Sequence, residues 1–321
     1  MEYRRLGTSD LSVSAVGLGG NNFGGRADAE TSIKVINHAL DLGVNFIDTS
    51  PAYADGRSEQ LIGQAVGNRR RAVIIATKFG ASSQITPGTS PGSSSYVSHS
   101  IEGSLRRLAT DYVDILFVHN PDEATPIAET LGVLNELVEA GKVRHLGCSN
   151  FSGAHLEAAI EASRSANLSS FIAAGAAYNM LDRRIERDLA PACRRLGVSV
   201  IPTLPLASGL LTGKYDPRQP PPGRSPTKAE RRGRSELAPS MQPRDVHRFW
   251  SDSNFQKIEV LRGFAGGRGH RIGELAIAWL LSHPWIGTVI PGAMSVEQIS
   301  ANVEAGYWVL GADEAAELEL L

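Results

Sequence analysis

Short apolar runs alternate along the chain with longer stretches in which apolar residues recur every three or four positions. The runs at 15–18, 45–48, 73–77, 113–118, 145–148, 171–174, 198–202 and 288–290 are mostly apolar on both faces, which predicts eight strands covered by helices rather than a half-exposed sheet. Between them, Ile33, Ile36 and Leu40 share one helical face, as do Ile101, Leu105 and Leu108, and Leu131, Leu134 and Val138. Leu42-Gly43-Val44, Ala140-Gly141-Lys142-Val143 and Leu196-Gly197-Val198 carry the same punctuation: a helix ends, glycine takes a left-handed turn, and a strand begins. Ser295 to Gln298 reads as a capping box opening a late helix. Ahead of all this, 3–6 and 11–13 flank Gly7-Thr8-Ser9-Asp10 as an N-terminal β-hairpin. Eight alternations predict an α/β protein built as a closed (β/α)8 TIM barrel, one domain over residues 1–321.

One segment breaks the rhythm. Residues 216–250 hold seven of the 17 prolines and many arginines, and predict a long loop after the seventh strand. A surface insertion suits most of its residues, and a flap over a bound cofactor is the functional alternative.

Composition narrows the class. Lys and Arg number 32 against 34 Asp and Glu, a balance that offers no broad attraction to nucleic acid or an anionic membrane. Two cysteines, Cys148 and Cys193, cannot make a disulfide framework and fit a reducing, cytoplasmic setting. No stretch has the roughly 20 apolar residues of a membrane span, and the first residues do not read as a signal peptide.

In a barrel of this kind reactive groups lie at the C-terminal ends of the strands. There the second run delivers Asp48 and, five residues on, Tyr53; the third delivers Lys78; the fourth delivers His119. Carbonyl reduction needs a hydride and a proton. A phenol has an ordinary pKa near 10, and a neighbouring ammonium lowers it. Lys78 supplies that charge, Asp48 orients Lys78, and His119 is placed to hydrogen-bond a carbonyl oxygen. Each residue alone reads as a structural ion pair or a core histidine; the ordered set of four does not. No metal-ligand spacing is present, so no metal is expected.

The stretches FIDTSPAY, GRSEQLIG, IIATKFG, DILFVHNPD, VRHLGCSNF, AAYNMLDR, PLASGLLTGKY and VIPGAMSVEQISANVEA occur in this order. On them the chain resembles the aldo-keto reductases over nearly its whole length. The resemblance implies an oxidoreductase interconverting aldehydes or ketones and alcohols, with Asp48, Tyr53, Lys78 and His119 as a catalytic tetrad and Tyr53 as proton donor. It implies a nicotinamide cofactor extended across the barrel mouth without a Rossmann domain. NADP(H) is the family default and NAD(H) the alternative. Gly17-Leu18-Gly19-Gly20-Asn21-Asn22 fails the dinucleotide fingerprint because Asn22 stands at its last glycine. It reads as the first βα loop, with Gly20 and Asn21 near cofactor or substrate. By resemblance, Ser149 and Asn150 bind the carboxamide, and Leu206, Ser208, Gly209, Leu211 and Lys214 hold the pyrophosphate. Asn302 contacts adenine.

The chain also departs from the pattern. Gly175 stands where the family usually has a carboxamide-binding glutamine, and Thr203 where it usually has an aromatic that stacks on the nicotinamide. Gly292, Met294 and Gln298 occupy positions that often carry a cation for the 2′-phosphate, although Gln298 also belongs to the capping box. Two other functions compete with carbonyl reduction. One is a cofactor-binding regulatory subunit of the same fold, like the channel-associated β subunits; the other is a hydrolytic barrel using Asp48 and His119. The substrate, the physiological direction and the oligomeric state are not encoded in any motif.

Overall fold

The computed structural model describes residues 1–81, 90–219 and 246–319. Strands β1 (Tyr3–Arg5) and β2 (Ser12–Ser14) pair antiparallel, Tyr3 opposite Ser14. A parallel seven-stranded sheet follows in chain order: β3 (Leu18–Gly19), β4 (Phe46–Asp48), β5 (Ile74–Phe79), β6 (Val113–Val118), β7 (Val143–Ser149), β8 (Phe171–Ala177) and β9 (Ser199–Thr203). Helices α1 (Ala29–Asp41), α2 (Arg57–Val66), α3 (Ser94–Leu108), α4 (Ile127–Glu139), α5 (Gly153–Ser165) and α6 (Leu189–Leu196) connect successive strands. After β9 come α7 (Asp252–Gly266), α8 (Ile272–Leu281), α9 (Val296–Ala305) and α10 (Ala312–Glu319).

The anticipated eighth strand takes another form. Residues 285–291 make no named strand but bond to both edges of the sheet. Val200 and Gly287 exchange bonds with this segment and β9, through Trp285 O at 2.9 Å and Val200 O at 3.0 Å. On the other side Gly17 N bonds Val289 O at 2.8 Å and Gly19 N bonds Pro291 O at 3.1 Å. Pro284 and Pro291, which have no N–H, bracket the segment and keep it to isolated parallel bridges with Val16, Gly19 and Val200. The first strand is likewise shorter and later than the run at 15–18, with only Val16 bridged ahead of it.

The expected helix punctuation is present: Gly43, Gly141 and Gly197 have φ of 87°, 72° and 69°. Ser295 Oγ accepts from Gln298 N at 3.3 Å, but Gln298 Oε1 reaches past the cap residue to Met294 N at 2.9 Å. The capping box is therefore closed one residue further out than its usual form. Residues 82–89 and 220–245, which include most of the proline-rich loop, lie outside the described residues.

Two apolar clusters result. A larger one lies between strands and helices. A smaller one gathers the sheet's inward residues Phe46, Ala76, Ile115, Phe117, Ala173, Ile201 and Ile290 around Leu6 and Val13 of the hairpin. The hairpin meets the starts of the strands, the end opposite the tetrad. Gly7 N donates to Ser199 Oγ at 2.7 Å, and a Cβ on Gly7 would meet Ile172 O at 2.2 Å. Burying Leu6 there contributes about 1.5–3 kcal/mol.

Candidate active site

β4 and β5 lie side by side in register, Asp48 opposite Ala76, so Asp48 and Lys78 emerge together at the strands' C-terminal ends. Lys78 Nζ donates to Asp48 Oδ1 at 2.5 Å, to Thr49 O at 2.8 Å and to Tyr53 Oη at 3.5 Å. Both charged residues are buried. Tyr53 opens a short turn, Tyr53–Gly56, in which Ala54 and Asp55 hold left-handed φ of 49° and 51°. Two consecutive non-glycine residues in that region store backbone strain beside the phenol. His119 directly follows β6; its N bonds Phe79 O at 2.8 Å, and Asn150 Nδ2 bonds its carbonyl at 2.9 Å. The buried His119 Nδ1 has no hydrogen-bond partner among the described residues.

Burial and mutual charge set the protonation states. Burial pushes Asp48 up, and Lys78 only partly offsets it. Burial pulls the Lys78 ammonium down, but Asp48 and Tyr53 outweigh it and it stays above its ordinary value. For Tyr53 burial dominates: the phenol sits above its ordinary pKa although Lys78 pulls it down. The expected lowering is thus a real contribution that burial overrides, and Tyr53 is a phenol at neutral pH. Burial, then the Lys78 charge, lowers His119 to about 3, so its imidazole is neutral.

The GRSEQ stretch braces this corner. Ser58 Oγ donates to Gly20 O at 2.8 Å and lies 2.9 Å from Thr49 Oγ1. Glu59, fully buried, accepts from Thr77 Oγ1 and Arg107 Nε, each at 2.6 Å. α2 is thereby tied to the ends of β3, β4 and β5.

A cavity of about 630 Å3 opens over the tetrad end. Asn21, Asp48, Tyr53, Thr203, Leu206, Ser208, Gly209, Lys214, Gly292, Gln298 and Asn302 line it. Gly20, Lys78, His119, Ser149, Asn150, Gly175, Leu211 and Met294 are not on its wall. Gly20 packs against β4, where a Cβ would lie 2.8 Å from Asp48 O. Ser149 is buried, its Oγ 3.2 Å from Gly175 O, and Asn150 is turned to His119 and Asn120. Leu211 is fully buried in the larger apolar cluster. Leu204, Ala207 and Ser208 hold φ of 55°, 48° and 56°, a second strained turn against the cavity.

Several wall residues were not foreseen: Asn22, Arg26, Thr212, Arg271, Gly273, Glu274 and Ala301; Arg248, also on the wall, falls in the 216–250 segment whose functional alternative is a flap over the cofactor. Arg248 is held by Asp182 Oδ2 at 2.5 Å, and Arg271 Nε by Glu274 Oε1 at 2.5 Å. Glu274 stands three residues after Arg271 at the head of the apolar run AIAWLL, the usual mark of a helix start. That signal marks the helix but not the direction its first turn faces. No group of three or more His, Cys, Asp or Glu placed to hold a metal occurs among the described residues, and no helix among them is long and apolar enough to cross a membrane.

The family model described as "Aldo/keto reductase family" matches residues 15–321. Among curated relatives, a probable voltage-gated potassium channel subunit beta of Arabidopsis thaliana is 34% identical over 315 residues, covering 95% of this chain and 91% of its own. The L-glyceraldehyde 3-phosphate reductase of Escherichia coli (strain K12) is 32% identical, covering 95% and 87%. Aldo-keto reductase YhdN of Bacillus subtilis is 29% identical, covering 100% and 93%.

Proposed function

The chain belongs to the aldo/keto reductase family, generally NAD(P)H-dependent oxidoreductases, and from that premise we propose that it reduces aldehydes or ketones, and oxidises the corresponding alcohols, with Tyr53 as proton donor. We read residues 1–321 as one domain, a (β/α)8 barrel closed through 285–291. The observation that carries the proposal is the Lys78 ammonium 2.5 Å from Asp48 and 3.5 Å from the Tyr53 hydroxyl.

The residues suit an extended dinucleotide. The cavity joins the tetrad end to Gln298 and Asn302, and the buried Asn302 Nδ2 has no partner among the described residues. Thr203, at the end of β9 on the cavity wall, would flank the nicotinamide; Ser208, Gly209 and Lys214 would hold the pyrophosphate, and Gln298 and Asn302 the adenosine. When bound, the nicotinamide supplies or accepts the hydride. Tyr53 donates its proton to the carbonyl oxygen, and Lys78 stabilises the phenolate left behind. Asp48 holds Lys78 in line. Neutral His119 offers an N–H to the same oxygen, which favours charge developing there. Asp48 is committed to Lys78, which leaves it poorly placed as the acid–base group of a hydrolase.

The name of the Arabidopsis thaliana relative, a probable voltage-gated potassium channel subunit beta, favours a second reading, a cofactor-binding subunit with little turnover of its own. A panel of aldehydes, ketones and sugars, followed by oxidation of NADPH and NADH, decides between them. Carbonyl-dependent oxidation that disappears in Tyr53→Phe is expected. Tight cofactor binding without turnover on any carbonyl supports the subunit reading and overturns ours.

A further inference from the structure

Gly292, Met294 and Gln298 bring no cation to the far end of the cavity, yet that end is not without charge. The first turn of α8 lines the same cavity: Arg271 is the cap residue, Gly273 and Glu274 stand on the wall, and α8 packs against α9, which carries Gln298 and Asn302. α8 has ten residues, and no side chain caps its first turn. Its free N–H groups and dipole therefore favour an anion. Asn302 adds an independent sign of a ligand: it is 9% exposed and lines the cavity, and its Nδ2 has no partner among the described residues.

Arg271 and Glu274 form a pair of opposite character on one turn. Arg271 Nε bonds Glu274 Oε1 at 2.5 Å, and His270 Nδ1 lies 2.8 Å from Glu274 Oε2. The Arg271 side chain is 68% exposed and able to swing, whereas Glu274 is 18% exposed and fixed from two sides. Burial works against its charge, but His270 and Arg271 hold the carboxyl below its ordinary range. A fixed carboxylate accepts a hydrogen bond from a ribose hydroxyl, and a guanidinium pairs two-pronged with phosphate.

We propose that the Arg271–Glu274 pair reads the 2′ position of the cofactor's adenosine ribose, Arg271 taking a 2′-phosphate and Glu274 a free 2′-hydroxyl. The inference rests on the cofactor reading above. Arg271 must leave Glu274 to meet the phosphate, so each cofactor gains one contact and the chain accepts both NADP(H) and NAD(H).

Calorimetric titration of NADPH, NADH, adenosine 2′,5′-bisphosphate and adenosine 5′-monophosphate into the whole protein tests this. In the unaltered chain the Kd values for NADPH and NADH are expected within about tenfold of one another. Arg271→Ala is expected to weaken NADPH and the bisphosphate about tenfold or more, leaving NADH and the monophosphate nearly unchanged. Arg271→Lys keeps part of that binding. Glu274→Gln, which preserves shape, is expected to shift the ratio toward NADPH. If Arg271→Ala leaves the NADPH/NADH ratio unmoved, or weakens all four ligands equally, the inference is overturned while the cofactor reading stands. If the unaltered chain binds neither dinucleotide, both fall together.

Discussion

Tyr53 is under two opposed influences, burial that keeps its proton and an ammonium that would take it, and burial prevails. A phenol that stays protonated is a proton donor over the whole neutral range. Tyr53→Phe should therefore keep the fold and cofactor affinity and lose about 10²–10⁴-fold in turnover, read from kcat with an unchanged cofactor Kd. The pH profile carries a second expectation. His119 is neutral above about 3, so the reduction rate should show no inflection near the ordinary histidine value. Reduction should fall only as pH rises through the raised Tyr53 pKa, and alcohol oxidation, which needs the phenolate, should rise over the same interval. A step near pH 6.5 that vanishes in His119→Gln would show an imidazolium at work instead. Asp48, Lys78 and His119 could be placed from the sequence because they stand at the ends of apolar runs, which fix position; Tyr53 stands five residues past such an end, and the structure brings it to Lys78. The net direction of the Tyr53 shift was not legible, since it depends on how far the phenol is buried. Arg271 and Glu274 escaped notice for a related reason: they read as an ordinary solvated helix start.

At the scale of elements, the β8 and β9 ends explain what the unusual residues allow. A Cβ on Gly175 would lie 3.0 Å from Ser149 Oγ, so a glutamine there requires Ser149 to turn. Thr203, by contrast, faces the cavity. Thr203→Trp should add a stacking surface and tighten the nicotinamide dinucleotide by up to about tenfold, a stacked aromatic pair contributing about 0.5–1.5 kcal/mol. Gly175→Gln alone should gain nothing until Ser149→Ala is added. Cofactor Kd values for the single and double variants check both; tighter binding by Gly175→Gln alone would show Ser149 to be freely movable. Element order followed from the alternation of runs and glycine punctuation, which are local. The eighth segment did not, because its bonding is decided by prolines at 284 and 291 and by edges brought from residues 16–19 and 200, far along the chain.

For the whole molecule, the N-terminal hairpin matters at the end opposite the tetrad. Leu6 and Val13 fill the starting end of the sheet, fully buried. Leu6→Ala should cost about 2–5 kcal/mol and lower Tm with little change in kcat, since the tetrad lies at the opposite end. An equal loss of stability and kcat would mean that the two ends are coupled. Gly7, with φ of 55° and Ile172 O against it, should tolerate no side chain.

The partners of that hairpin have an ordering in time as well as in space. Gly7 waits for Ser199, and Arg4 Nη1 for Ile286 O, which lies 282 residues later. On a ribosome adding about 5–20 residues per second, residues 3–14 meet Gly43 and Asn45 early, through Tyr3 Oη to Gly43 O at 2.8 Å and Asn45 Nδ2 to Ser12 O at 2.9 Å, but their partners at 199 and 286 only much later. Closing so long a span carries a loop-closure cost that the early contacts do not remove. A nascent chain stalled before residue 286 should thus expose residues 3–14 to protease, and release to full length should protect them in one concerted step.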